Sequence, residues 1–177
     1  MMSRRASNEA VSDFVSNRWG ALVRFGYLMT GDATTAEDLV QEALAKCLPR
    51  WQSFDPQGTE SYVRTVMARL AWKRAKRPRI EELSDDADGR EAIADRSARA
   101  ADVAQALDRL PPDQRVVVVL RHWLDYTEAQ IADVLGCRAG TVKSRASRAY
   151  AQLRTDLGLA DYAAAPSNHT LGRGDTQ

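Results

Sequence analysis

Five side chains on one short stretch, Thr141, Lys143, Ser144, Arg145 and Arg148, have the chemistry to hold a polyanion. Arginine and lysine grip phosphates, arginine also takes guanine edges, and serine and threonine hydroxyls bond either. Val142 lies among them, and with Val142 turned inward on a helix the five face outward over two turns. No acid interrupts from Leu135 to Thr155, and Arg138 to Arg154 carries +5. A second basic block runs from Ser61 to Ile80, where Arg64, Arg69, Lys73, Arg74, Lys76, Arg77 and Arg79 give +7. Two acidic blocks offset these: Asp32, Glu37, Asp38 and Glu42 give −4, and Glu81 to Asp95 gives −6. The overall charge of +1 is therefore a cancellation. Two separate basic blocks point to two contacts with a polyanion.

The same inventory offers little to an enzyme. His122 has no Cys or Asp at nucleophile spacing, and His169 lies near the end of the chain. There is no glycine-rich phosphate loop, serine elbow or metal-ligand cluster, so no catalytic residue, cofactor or metal is expected. Cys47 and Cys137, ninety positions apart, make neither a disulfide framework nor a zinc site. The longest clean apolar run, Val116 to Leu120, is far short of the ~20 residues that span a bilayer. The opening Met-Met-Ser-Arg-Arg has no hydrophobic segment behind its arginines. A cytoplasmic protein without a membrane partner is expected.

Helices must position these side chains. Val11, Phe14, Val15, Trp19, Leu22 and Val23 follow a three-four spacing that predicts a first helix, broken at Gly31-Asp32. Thr35 with Asp38 reads as a capping box for a second helix, with Leu39, Val40, Ala43, Leu44, Cys47, Leu48 and Trp51 as its apolar face. Pro49 leaves its last turn open. After a turn at Pro56 and Gly58, Thr59 reads as the cap of a third helix with Tyr62, Val63, Val66, Met67 and Leu70 buried. Residues 6–77 thus form a small bundle, and 78–97, acidic and aperiodic, form a flexible linker. A second helical domain spans 98–160, and 161–177 reads as a disordered tail. Val116 to Leu120 has strand propensity, but no other segment could pair with it and Pro112-Asp113 starts a helix well. The fold class is all-α: two small helical domains joined by the acidic linker.

Within the second domain, Thr127 to Gly136 is a short capped helix closed by glycine, followed by a helix from Ala139 to about Leu157. Ile131 and Leu135 face the core, Ala132 permits close crossing, Gly136 supplies the left-handed turn, and Val142 anchors the second helix. Topology, small-residue placement and charge together predict a DNA-reading helix-turn-helix.

At these residues the chain resembles a known family. Leu110-Pro-Pro-Asp-Gln-Arg115, Thr127-Glu-Ala-Gln-Ile-Ala-Asp-Val-Leu-Gly136 and Gly140-Thr-Val-Lys-Ser-Arg145 are similar to region four of sigma-70 family factors. Gly31-Asp-Ala-Thr-Thr-Ala-Glu-Asp-Leu-Val-Gln-Glu-Ala-Leu44 resembles region two of the extracytoplasmic-function group. The likeness covers about Val11 to Leu157, in the family's order. It implies a sigma factor that binds core RNA polymerase through its clamp helices and flap, directs it to promoter DNA and helps melt it. An anti-sigma factor is a common further partner in the family.

The resemblance assigns polymerase docking to Asp38, Leu39, Gln41, Glu42 and Leu44. Asp38, Gln41, Glu42 and Ala45 share one helix face. It assigns minus-ten recognition and melting to Tyr62, Arg64, Arg69, Trp72, Lys73, Arg74, Lys76 and Arg77, the aromatics capturing an unstacked base while the basic groups hold the backbone. Arg69 and Lys73 depart from the family's usual Asn and Asp and leave the base pocket open. Arg138, Thr141, Lys143, Ser144, Arg145 and Arg148 would read the minus-thirty-five element, with Arg138 standing where a capping Ser is common. A LuxR-type regulator, which binds duplex DNA alone, shares a similar Thr-Val-Lys helix and is the alternative.

Overall fold

The computed structural model describes residues 2–55, 58–76 and 98–156, and every regular element among them is a helix. In order these are α1 (Met2–Thr30), α2 (Ala33–Cys47), a 3-10 helix (Leu48–Ser53), α3 (Thr59–Ala75), α4 (Ala98–Asp108), α5 (Pro112–Trp123), α6 (Glu128–Leu135) and α7 (Ala139–Asp156). Arg77, the linker assigned to 78–97 and the tail assigned to 161–177 lie outside the described residues.

The first three α-helices pack around Leu22, Phe25, Met29, Leu39, Val40, Val63 and Met67, all essentially without solvent contact. Each such large side chain contributes about 1.5–3 kcal/mol through burial. Cys47 belongs to this core, and burial pushes its thiol up to about 11. The break between α1 and α2 falls at Gly31, whose φ of 75° is open to glycine but costly for a side chain with Cβ.

Four local expectations need correction. The cap of α2 is Asp32, not Thr35: Asp32 Oδ1 accepts the Thr35 amide at 2.6 Å, so the helix starts at Ala33 with Thr35 inside its first turn. Pro49 converts the end of α2 into the 3-10 helix, and the tighter winding turns Leu48 outward, 49% exposed. Trp51 still returns to the core, edge-on to Phe14 at 5.1 Å. Thr59 is the first residue of α3 rather than its cap; its hydroxyl donates to the Asp55 carbonyl at 3.0 Å. Tyr62, expected in the buried stripe, is 36% exposed with its ring stacked at 4.5 Å on Phe54.

In the second half, Val116 to Leu120 is helical, within α5. The six consecutive residues Arg115 to Leu120 are all buried. A helix covered on one side shows a stripe, whereas this one is enclosed all round. One side packs on α6 and α7, and the other on α1 and α3. The two halves therefore share a continuous apolar core instead of standing apart. Arg115 is buried at this junction, donating to the carbonyls of Asp108 at 2.6 Å and Leu110 at 3.3 Å and pairing with the Asp108 carboxylate at 3.6 Å.

Candidate nucleic-acid interface

The helix-turn-helix is built as its local chemistry demands. The Thr127 hydroxyl accepts the Gln130 amide at 3.2 Å while Gln130 Oε1 accepts the Thr127 amide at 2.8 Å, closing a reciprocal cap on α6. Gly136, at φ 61° and ψ 45°, ends α6 in the left-handed region, and the Cys137 amide reaches back to the Ala132 carbonyl at 3.0 Å. The Arg138 carbonyl accepts the amides of Thr141 and Val142, so the first turn of α7 begins at Arg138 without a side-chain oxygen to cap it. Val142, Ala146 and Ala149 face inward and hold α7 against its neighbours.

This seating leaves Arg138, Lys143, Ser144 and Arg148 exposed and Thr141 half-buried. Arg145 does not face outward as expected. Its Nε–H donates to Asp113 Oδ2 at 2.6 Å, and its guanidinium stands 5.1 Å from the centroid of the Trp72 ring. The charge count along α7 missed this because the acid comes from α5, thirty-two residues earlier.

The basic block on α3 divides into three parts. Arg64 is engaged internally, 2.6 Å from Glu60 and over the ring of Phe25, with Arg18 on the second Glu60 oxygen at 3.2 Å. Arg74 bridges to α2, donating to Glu42 Oε2 at 2.9 Å. Arg69, Lys73 and Lys76 are exposed, yet Arg69 Nε–H donates to the Val134 carbonyl of α6 at 3.0 Å. Trp72 is only 3% exposed, with the Lys76 ammonium 4.8 Å from its ring centroid, and its indole N–H has no hydrogen-bond partner.

On α2, Asp38 and Gln41 are exposed and Glu42 is half-buried between Lys46 and Arg74. Leu39 and Leu44 belong to the core; Leu39 presents no surface and Leu44 very little. Asp113, which meets α7 within the second half, and Tyr126 and Val134, which meet α3 across the junction, escaped the sequence reading because single long-range partners leave no periodic trace. Among the described residues no helix is long and apolar enough to cross a membrane, and no group of His, Cys, Asp or Glu could hold a metal ion.

Both halves of the chain are similar to known proteins. Residues 14–79 match the Sigma-70 region 2 family and residues 100–153 match Sigma-70, region 4. The chain is 38% identical over 151 residues to the RNA polymerase sigma-E factor of Streptomyces coelicolor, covering 82% of this chain and 84% of that protein. It is 31% identical over 176 residues to the ECF RNA polymerase sigma factor SigE of Mycolicibacterium smegmatis, covering 94% of this chain and 66% of the relative. Among solved structures, the sigma factor RpoE of Bartonella quintana, in complex with the anti-sigma factor NepR, shares the fold. Its TM-score is 0.54 at 24% identity, over 83% of this chain and 98% of that one.

Proposed function

The chain belongs to the sigma-70 family as an RNA polymerase sigma factor of the extracytoplasmic-function group, and we propose how its surfaces divide that work. The protein directs core RNA polymerase to promoters and is not itself a catalyst; it works where the polymerase is, in the cytoplasm. The unit 6–77 docks on the polymerase clamp helices and melts the minus-ten element, and the unit 98–160 meets the flap and reads the minus-thirty-five element.

The observation that carries the docking assignment is the outward row Asp38 and Gln41 on α2, one turn apart and continued by the half-buried Glu42. This acidic row suits a basic partner helix, whereas Leu39 and Leu44 support it from beneath. Melting falls to α3: Arg69, Lys73 and Lys76 hold the backbone, and the Trp72 indole receives an unstacked base. Tyr62, half-turned to solvent on the same helix, is a second stacking surface. Arg64 and Arg74 act from inside, Arg64 through the Phe25 ring of α1 and Arg74 through Glu42 of α2. On α7, Lys143, Ser144 and Arg148, with Arg138 just before its start, approach the major groove directly, with Thr141 and Arg145 at its margin. An anti-sigma factor, as in the Bartonella pair, is a further partner in this reading.

Reconstitution tests the whole assignment. Added to core polymerase, the chain should confer initiation at specific promoters, while alone it should bind duplex DNA poorly. A LuxR-type regulator would do the reverse. Asp38→Arg should abolish capture of the chain by core polymerase while leaving helical content unchanged. Undiminished capture would remove α2 as the docking face.

A further inference from the structure

The structure assigns Ser144 one task in base reading: its hydroxyl accepts from the amino group that a base pair shows in the major groove, and Gly140 clears the approach. This deepens the reading role given above to α7 and rests on it.

Ser144 points almost directly away from the core. Val142 is fully buried, and a residue two positions on lies about 200° further round a helix. Gly140, four residues before Ser144, shares its face one turn nearer the start of α7. Both are exposed. In a helix-turn-helix the N-terminal residues of the reading helix are the ones that meet base edges.

The Ser144 hydroxyl has one hydrogen, and the helix itself uses it: Oγ donates to the Thr141 carbonyl at 3.0 Å. Only lone pairs are left to face outward, so toward DNA Ser144 is an acceptor. Its exposed basic neighbours are of the opposite kind. Arg138, Lys143 and Arg148 can only donate, which suits phosphate, guanine O6 and N7, and thymine O4. None of them can accept from an amino group. Each base pair carries one such group in the major groove, adenine N6 or cytosine N4, and it needs an acceptor. Residues 139–149 contain no Asp, Glu, Asn or Gln to supply one. Thr141 is half-buried, and the exposed Ser147, whose hydroxyl is unbonded, can serve either way. Ser144 alone combines the outward position with a fixed acceptor character.

Gly140 bears on the same face from a different side. Glycine weakens a helix relative to alanine, and a left-handed backbone or a crowded neighbour is the usual reason to keep it. Neither applies: φ at Gly140 is not positive, and a Cβ built there would meet nothing within 4 Å. The chain itself has no use for this glycine. A surface that approaches the backbone more closely than a side chain permits does have one, and on this face that surface is the groove. The missing Cβ lets Ser144, which reaches only one carbon and one oxygen from the helix, arrive at an edge that the longer arginines touch from further away.

The test uses holoenzyme reconstituted from core polymerase and the full chain, with a promoter selected by it from a library randomised at the minus-thirty-five element. Ser144→Ala should lose discrimination at one base pair, by about fivefold in binding, and keep it elsewhere. At that pair, replacing adenine by purine, or cytosine by 2-pyrimidinone, deletes the amino group. The wild type should lose the same factor on the deleted pair, and Ser144→Ala should lose nothing further. Losses that simply add overturn the assignment, and so does a Ser144→Ala holoenzyme that selects the wild-type sequence with wild-type strength. Gly140→Ala should hold or raise the thermal midpoint of the free chain and yet weaken holoenzyme binding to the selected promoter. A lowered midpoint would place the need for glycine inside the chain and overturn the clearance, as would undiminished binding. A holoenzyme that selects no minus-thirty-five sequence sinks the reading role of α7 itself, whereas selection that ignores Ser144 sinks this assignment alone.

Discussion

Arg145 shows how one side chain can look unambiguous in a sequence and be placed otherwise by the fold. No acid lies within ten residues of it on either side, so nothing nearby in the sequence could neutralise it. The neutralising group, Asp113, sits at the start of α5, where a negative charge also suits the positive end of that helix. The pair is partly exposed, so it is a modest contributor to stability and a better candidate for a contact that changes partner. On promoter DNA, Arg145 freed from Trp72 can reach a base edge, whereas Arg154, exposed near the end of α7, can reach only backbone. Arg145→Ala should therefore weaken binding of the polymerase holoenzyme to its preferred promoter by about 1–3 kcal/mol and flatten discrimination at one position. Arg154→Ala should lower affinity for all sequences alike and reduce the salt dependence by about one charge. A binding series across promoter variants at several salt concentrations separates the two. Equal losses on every sequence for Arg145→Ala would pass base reading to Lys143, Ser144 and Arg148.

The helices were legible wherever a local signal sets them. Thr127 and Gln130 close α6 at one end and Gly136 at the other, each within one turn of the backbone it serves. The start of α2 was misread because two candidate caps, Asp32 and Thr35, lie three residues apart and only one can lead. Asp32 leads because its carboxylate, placed just before the first turn with extended backbone, reaches the Thr35 amide at 2.6 Å. The two left-handed glycines also differ in a way no sequence pattern reveals. A Cβ at Gly136 meets nothing within 4 Å, while one at Gly31 meets the buried Arg115. Gly136→Ala should thus cost only the backbone penalty, about 1–2 kcal/mol, and Thr127→Ala about 1 kcal/mol from the lost cap. Equilibrium urea unfolding of each variant checks both figures. A much larger loss at Gly136 would mean that the turn between α6 and α7 is packed more tightly than its open surroundings indicate.

The largest departure from expectation is how the two halves sit together. Charge order and motif order divide the chain into two halves, which the region 2 and region 4 matches follow, but division along the chain is not separation in space. The contacts that join them, Thr65 with Tyr126 and Arg69 with Val134, span more than sixty residues of sequence and follow no period. One local clue was present: the run Val116 to Leu120 is apolar at every step, which invited a choice between strand and helix when the more informative reading was a helix with no solvent face. If α5 is packed on both halves at once, neither half can unfold without exposing an apolar face of the other. Differential scanning calorimetry of the wild type should then show a single transition whose van't Hoff and calorimetric enthalpies agree. Gly31→Asn, by parting the junction, should broaden that peak or split it, with the van't Hoff value falling below the calorimetric one. Since 1 kcal/mol shifts the midpoint of a chain this size by only about 2–4 °C, the enthalpy ratio is the sharper readout. Two resolved transitions in the wild type would mean that the shared core does not bind the halves into one cooperative unit.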